Sequence, residues 1–126
     1  MIQNYIDKIK VQLAISPYIT SVEIIKERNS EDRGYFHARM KLSSGDFLEV
    51  SEYFVMQGAQ PSTQEYRYQW MDGAQKELIK RWDNARHHSN LFNFPHHIHI
   101  ENDEQVISGQ SLSIIDVLNI IELEIK

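Results

Sequence analysis

The apolar positions of the chain follow two periods, which predict a helix at each end and strands between them. Over residues 2–14 the apolar positions are three or four residues apart, the spacing along one face of an amphipathic helix. Pro17 ends this helix, because proline cannot continue the hydrogen-bond ladder. The same period returns over residues 114–125, where Ser113 and Asp116 have the spacing of a capping box.

Between the predicted helices, apolar and polar residues alternate in short segments, as in strands that bury one side. The predicted strands cover residues 18–27, 35–42, 47–56, 64–71, 76–83 and 96–102. The predicted connections are 27–34, a turn at 43–46, a loop at 57–63, a tight turn at Asp72-Gly73, and 84–95, which has no clear period. We expect an α+β fold in one domain, 1–126: a single antiparallel sheet of about five to six strands, with the N-terminal and the C-terminal helix packed on one face.

Helices on one side leave the other face of the predicted sheet available for polar side chains. On the fifth strand Arg81 and Asp83 alternate with apolar core positions, and on the sixth strand His97 and His99 do the same. These four side chains are therefore predicted to share the uncovered face, whereas His96 is predicted to point the other way.

Composition narrows the class of protein. The 126 residues and the mass of 14.9 kDa fit one soluble domain, and the absence of an apolar run near 18 residues argues against a membrane span. The net charge of −5 argues against non-specific coating of nucleic acid, although a local basic patch remains compatible with it. The chain has no cysteine, so a metal would need His, Asp or Glu. Since the N-terminus lacks a signal-peptide core, we expect a cytoplasmic protein.

Residues 81–100 concentrate titratable side chains, because they hold every histidine of the chain except His37. One interpretation is metal-independent cleavage of a phosphodiester, in which histidines transfer protons, Asp83 orients a histidine and Arg81 holds the phosphate. In RNA the neighbouring 2′-hydroxyl serves as the nucleophile, so the protein needs none. This interpretation requires no cofactor.

The catalytic interpretation assigns base and acid to His97 and His99, with His88 as a substitute for either. The predicted catalytic residues are Arg81, Asp83, His88, His97 and His99. The predicted substrate-binding residues are Asn84, Arg86, His87 and Arg39.

Two other interpretations of the same segment stay open. The first is a non-catalytic interaction module or a divalent metal site, with His88, His97 and His99 as the alternative ligands. No complete pattern of two histidines and a carboxylate with known ligand spacing supports it. The second is a purely structural role, because single surface histidines are common.

Two further features lie on the predicted core face. Glu52 interrupts the apolar face of its strand, so its carboxylate needs a partner, and Arg81 or a histidine is a candidate. Tyr66, Tyr68 and Trp70 share one face; core packing is favoured over base stacking.

The motif as a whole resembles the TumE-like family of bacterial toxin–antitoxin proteins. It consists of EYRYQW, an Asp-Gly turn and RWDNARHHSNLFNFPHHIHI, and the resemblance is strongest over residues 60–126. The matching positions are Tyr66, Tyr68, Arg81, Trp82, Asp83, Asn84, Ala85, His87, His88, Phe94, Pro95, His96, His97 and His99. Arg86 stands where the family usually has proline, which loosens the turn before His87 and adds a positive charge.

This resemblance implies a toxin encoded beside an antitoxin that carries a DNA-binding domain. Toxins of this family are suspected to act on RNA, so the resemblance favours a ribonuclease with RNA as its substrate. The uncovered sheet face is also a candidate interface for a homodimer.

Overall fold

The computed structural model describes residues 2–125. Within this range the chain forms two helices and one sheet of seven antiparallel strands, which lie in the sheet in chain order. Its elements are α1 (Ile2–Ile15), β1 (Ile19–Asn29), β2 (Arg33–Leu42), β3 (Phe47–Gln57), β4 (Gln60–Met71), β5 (Leu78–Asp83), β6 (His97–Ile100), β7 (Val106–Ser108) and α2 (Ile114–Glu124). The predicted α+β class is confirmed, with seven strands instead of five to six.

Two parts of the sheet differ from the prediction. The segment 57–63, predicted to be a loop, contains only a tight turn at Gly58, where φ is +65°, and β4 already begins at Gln60. This start of β4 is largely exposed on both faces, so burial leaves no alternating pattern in its sequence. The seventh strand, β7, has only three residues, too few to show a period, and pairs with β6.

The core lies between the sheet and the two helices. Alternate residues of β2 and β3 are buried against the apolar faces of α1 and α2. The aromatic stripe of Tyr66, Tyr68 and Trp70 is buried in this layer, as favoured from the sequence. The Tyr68 hydroxyl donates to the backbone oxygen of Leu112 at 2.8 Å, so the connection before α2 is tied to the sheet.

Glu52 is a buried carboxylate that joins both helices to the sheet. It accepts hydrogen bonds from the Tyr5 hydroxyl of α1 at 2.8 Å, from the Thr63 hydroxyl at 2.6 Å and from the Ile114 backbone N–H of α2 at 3.0 Å. Burial raises the pKa of Glu52 despite these donors. The expectation that Arg81 or a histidine partners Glu52 is wrong, because Glu52 points to the helix side of the sheet.

The start of α2 is fixed by the capping box that the sequence predicts. The Asp116 N–H donates to the Ser113 hydroxyl at 3.1 Å, and the Ser113 N–H donates to the Asp116 carboxylate at 2.9 Å. Within residues 2–125, neither helix is long and apolar enough to cross a membrane.

Candidate functional site

The pairing of β5 with β6 brings four predicted site residues together. Asp83 lies opposite His97, and Arg81 lies opposite His99, on the sheet face that points away from the helices. The predicted shared face is therefore confirmed. The side chains are not open to solvent as a bare sheet face would be: Asp83, His97 and His99 are only 5%, 2% and 5% exposed. The connection between β5 and β6 folds over them.

Asp83 is the common acceptor of this group. Its Oδ1 accepts the Ala85 backbone N–H at 3.0 Å and lies 2.9 Å from His97 Nε2. Its Oδ2 lies 3.2 Å from Arg81 Nε and 3.7 Å from His99 Nε2. A buried carboxylate needs such donors and positive charges, because the loss of water would otherwise disfavour its ionised form.

Backbone carbonyls fix the orientation of both buried imidazoles. His97 Nδ1 lies 2.9 Å from the carbonyl oxygen of Pro95, and His99 Nδ1 lies 3.2 Å from that of Asp103. A carbonyl oxygen only accepts, so each Nδ1 carries the hydrogen and donates it. Nε2 is consequently the nitrogen that each ring turns toward Asp83.

The two rings have different surroundings. His97 meets an acceptor at each nitrogen, the Pro95 carbonyl and the Asp83 carboxylate. Burial, together with the positive charge of Arg81, lowers the pKa of His99 and favours its neutral ring. The two imidazoles therefore lie side by side with different neighbours.

His88 reaches the same group from the exposed connection. Its ring centre is 5.1 Å from that of His97 and 5.8 Å from that of His99, in edge-to-face arrangements. One ring nitrogen from each of these three histidines lies within 4.8 Å of the others. His88 adopts φ +59°, a left-handed backbone conformation that is uncommon outside glycine. Although Arg86 replaces the usual proline, its guanidinium lies over the Phe94 ring at 5.0 Å, and His88 still reaches its partners.

His96 lies on the other side of the sheet, as predicted. Its ring is parallel to that of Tyr66, with the ring centres 5.9 Å apart, and its Nδ1 is 2.9 Å from the Tyr66 hydroxyl. Burial lowers the pKa of His96. This histidine therefore packs at the edge of the core and is separate from the three-histidine group.

A cleft of about 530 Å³ opens beside the buried group. His97 and His99 line it, as do His87 and Arg86 of the exposed connection. The lining also includes residues that were not among the predicted site residues: Tyr35, Ser51, Tyr53, Glu65, Tyr66, Arg67 and Ala85. On the sheet face away from the helices, Tyr35, Tyr53 and Arg67 are those that offer aromatic rings or a positive charge. Their outward positions follow from the alternation of their strands, but only the register between strands places them next to β5 and β6.

Arg81 is held by acidic partners of the protein itself. Besides Asp83, its guanidinium lies 2.8 Å from the exposed Asp103 carboxylate, and its side chain is only 16% exposed. It does not line the cleft, whereas the exposed Arg67 does. The structure thus positions Arg81 to hold Asp83 and to act on His99 through its charge; its predicted phosphate contact stays a prediction.

Asn84 is occupied by the neighbouring strand. Its Oδ1 accepts the Tyr66 N–H at 3.0 Å, and its Nδ2 donates to the Gln64 carbonyl at 2.8 Å. These two bonds extend the attachment of β5 to β4 by one residue. The side chain also touches the cleft, so its predicted contact with substrate stays a prediction.

Arg39 lies on the same sheet face but outside the cleft. It pairs with Glu49 at 3.4 Å, and His37 contacts the same carboxylate at 2.5 Å. Partial burial opposes ionisation of Glu49, but His37 and Arg39 together lower its pKa. Three strand spacings separate Arg39 from Arg81, which is roughly 14 Å at about 4.8 Å per strand.

A comparison with known protein families identifies the family of this chain. A protein-family model described as Toxin TumE matches residues 7–125, almost the whole chain. The protein is therefore the toxin component of a toxin–antitoxin system, which implies an antitoxin as its partner. More narrowly, the chain belongs to the Toxin TumE family, so the family resemblance is confirmed and extends into the N-terminal half. No curated protein and no solved structure matched the chain.

Proposed function

We propose that this toxin is an endoribonuclease of the cytoplasm that cleaves RNA without a metal. The observation that carries the proposal is the combination of groups along one cleft: acid–base histidines, basic side chains and half-buried aromatic rings. Proton transfer, phosphate binding and base stacking are the three tasks of a metal-free ribonuclease.

The chemistry assigns different steps to the two buried histidines. Neutral His99 removes the proton from a ribose 2′-hydroxyl, and the 2′-oxygen attacks the adjacent phosphorus. The bond from phosphorus to the 5′-oxygen breaks, and His97 acts as the general acid that gives this oxygen its proton. The products are a 2′,3′-cyclic phosphate and a 5′-hydroxyl. Asp83 lies between the two rings and orients them.

Other side chains of the cleft suit an RNA strand. Arg67 and Arg86 offer exposed guanidinium groups for a phosphate. Tyr35 and Tyr53, which are cross-strand partners, present half-buried rings on which a base can stack. His88 is not among the residues that line the cleft, but its ring centre is 5.1 Å from that of His97, and it is the proposed substitute proton donor or acceptor. We also propose that the antitoxin partner carries a DNA-binding domain and that the toxin forms a homodimer.

The test is cleavage of a defined RNA by purified protein in excess EDTA. We expect products that end in a 2′,3′-cyclic phosphate, and we expect His99→Ala to lower the cleavage rate by at least about a hundredfold, the usual size of an acid–base contribution. His96→Ala is the matched control, because this histidine packs on Tyr66 away from the cleft. Unchanged cleavage by His99→Ala, or no cleavage by the intact protein, would contradict the proposal.

A further inference from the structure

We propose that three histidines bind a divalent metal ion such as Zn²⁺, Co²⁺ or Ni²⁺. The ligands are His88, His97 and His99, with Asp83 as the adjacent carboxylate. This inference concerns binding and stands apart from RNA cleavage. Neutral imidazoles are preferred ligands of Zn²⁺, Co²⁺ and Ni²⁺. Three of them converge here from two segments of the chain, the connection 84–96 and strand β6.

The distances between ligand atoms fit such an ion after small movements. Bonds of about 2.0–2.1 Å in a tetrahedral zinc site put ligand atoms roughly 3.3 Å apart. Asp83 Oδ1 lies 2.9 Å from His97 Nε2 and Asp83 Oδ2 lies 3.7 Å from His99 Nε2, so each oxygen is near that distance from one histidine. The three histidine nitrogens lie within 4.8 Å of one another, and His88 is at an exposed position.

The hydrogen bonds of the buried rings are those that metal-bound histidines make. A ligating histidine generally donates its other ring N–H to a carbonyl or carboxylate, which fixes the ring and increases the basicity of the ligating nitrogen. His97 and His99 donate Nδ1–H to the backbone carbonyls of Pro95 and Asp103. Both Nε2 atoms therefore remain to bind an ion, and both face Asp83.

Occupation of this site has a consequence for the activity proposed above, and this consequence rests on that proposal. An ion bound to His97 Nε2 and His99 Nε2 takes up the two atoms to which the cleavage mechanism assigns proton transfer. Bound zinc is accordingly an inhibitor of metal-free cleavage. Binding alone raises the melting temperature, because the ligands come together only in the folded chain.

The experiment uses the full chain without a purification tag, stripped of metal by EDTA and then dialysed. Titration with ZnSO4 is followed by calorimetry, and CoCl2 gives the visible absorption that reports coordination geometry. We expect one ion per chain and a rise in melting temperature. His88→Ala, at an exposed position, is expected to weaken zinc binding by at least about a hundredfold, because loss of a ligand exceeds the usual effect of an outer partner. His96→Ala and His37→Ala are expected to leave binding unchanged.

The outcomes separate the two proposals. Absence of stoichiometric binding, or binding that survives both His88→Ala and His99→Ala, overturns the metal site and leaves the ribonuclease proposal standing. Cleavage that depends on added zinc overturns the metal-free mechanism and its inhibition by zinc, while the binding site stands. If His99→Ala fails to fold by circular dichroism, His88→Ala alone decides.

Discussion

Asp83 Oδ1 and His97 Nε2 lie 2.9 Å apart between neighbouring strands, and both side chains are buried. This contact connects the fold with the candidate chemistry, because the same carboxylate also receives Arg81 and faces His99. The Asp83 carboxylate thus contacts three side chains, Arg81, His97 and His99, that have little access to water.

Asp83→Asn is expected to destabilise the protein strongly. The change leaves Arg81 and His97 without their common anion, and breaking a buried ion pair typically costs about 3 kcal/mol or more of unfolding free energy. Urea unfolding followed by tryptophan fluorescence measures the change. Asp103→Asn is the control, because Asp103 also pairs with Arg81 but is 74% exposed, and only a small change is expected. Equal effects of the two variants would show that burial of Asp83 does not matter.

The alternation of residues was sufficient to predict the shared face of this group. Side chains in a strand point alternately to the two faces. Because Trp82 points into the core, Arg81 and Asp83 point to the other face of the sheet. The same period separated His97 and His99 from His96. Their burial could not be predicted, since it depends on how the connection 84–96, which has no period, folds back over the sheet.

The aromatic and basic residues that line the cleft could not be predicted from the sequence either. Tyr35 and Tyr53 are far in the chain from His97 and His99, and they come to the same cleft only through the register of β2 to β6. Arg39 shows the reverse case. Its outward position was evident from the alternation of β2, but the register places it beside Glu49, outside the cleft.

Glu52 makes the stability of the protein depend on pH. Burial raises the pKa of its carboxyl in the folded state above the ordinary value of 4.5, so the folded chain binds this proton more tightly than the unfolded chain. The contribution is fully present below about pH 4.5 and is lost as the pH rises through the raised pKa. Glu52→Gln does not titrate, so its stability relative to the wild type is expected to increase over that window. Unfolding in urea from pH 4 to pH 8 measures it, and a constant difference would contradict the prediction.

Glu52→Ala is expected to behave differently from Glu52→Gln. It leaves the Tyr5 hydroxyl, the Thr63 hydroxyl and the Ile114 N–H without their acceptor and creates a cavity between the helices. Unpaired buried groups and a cavity together cost about 3 kcal/mol or more. Thermal unfolding at pH 7 compares the variants, and an alanine variant as stable as the glutamine variant would exclude this bridging role.

The capping box of α2 gives a smaller, local effect. Ser113→Ala removes the hydroxyl that accepts the Asp116 N–H, and loss of such a cap typically costs about 1 kcal/mol of unfolding free energy. Ser111→Ala, two residues earlier at an exposed position, is the matched control and is expected to change little. Urea unfolding of both variants measures the difference, and equal stabilities would show that the cap contributes nothing.

A comparison of Arg67 with Arg39 tests whether RNA binds in the cleft or elsewhere on the same sheet face. Both arginines point away from the helices, but only Arg67 lines the cleft with the histidines. If the cleft binds the phosphates of RNA, Arg67→Ala removes a charge-assisted hydrogen bond, and the cleavage rate is expected to fall about tenfold to a hundredfold. Arg39→Ala tests the assignment made from the sequence alone, and the structure predicts a far smaller effect, since this side chain pairs with Glu49. Rates for a labelled RNA at several substrate concentrations, with circular dichroism to verify folding, compare the two. A larger loss for Arg39→Ala would move the RNA-binding surface from the cleft toward β2 and β3.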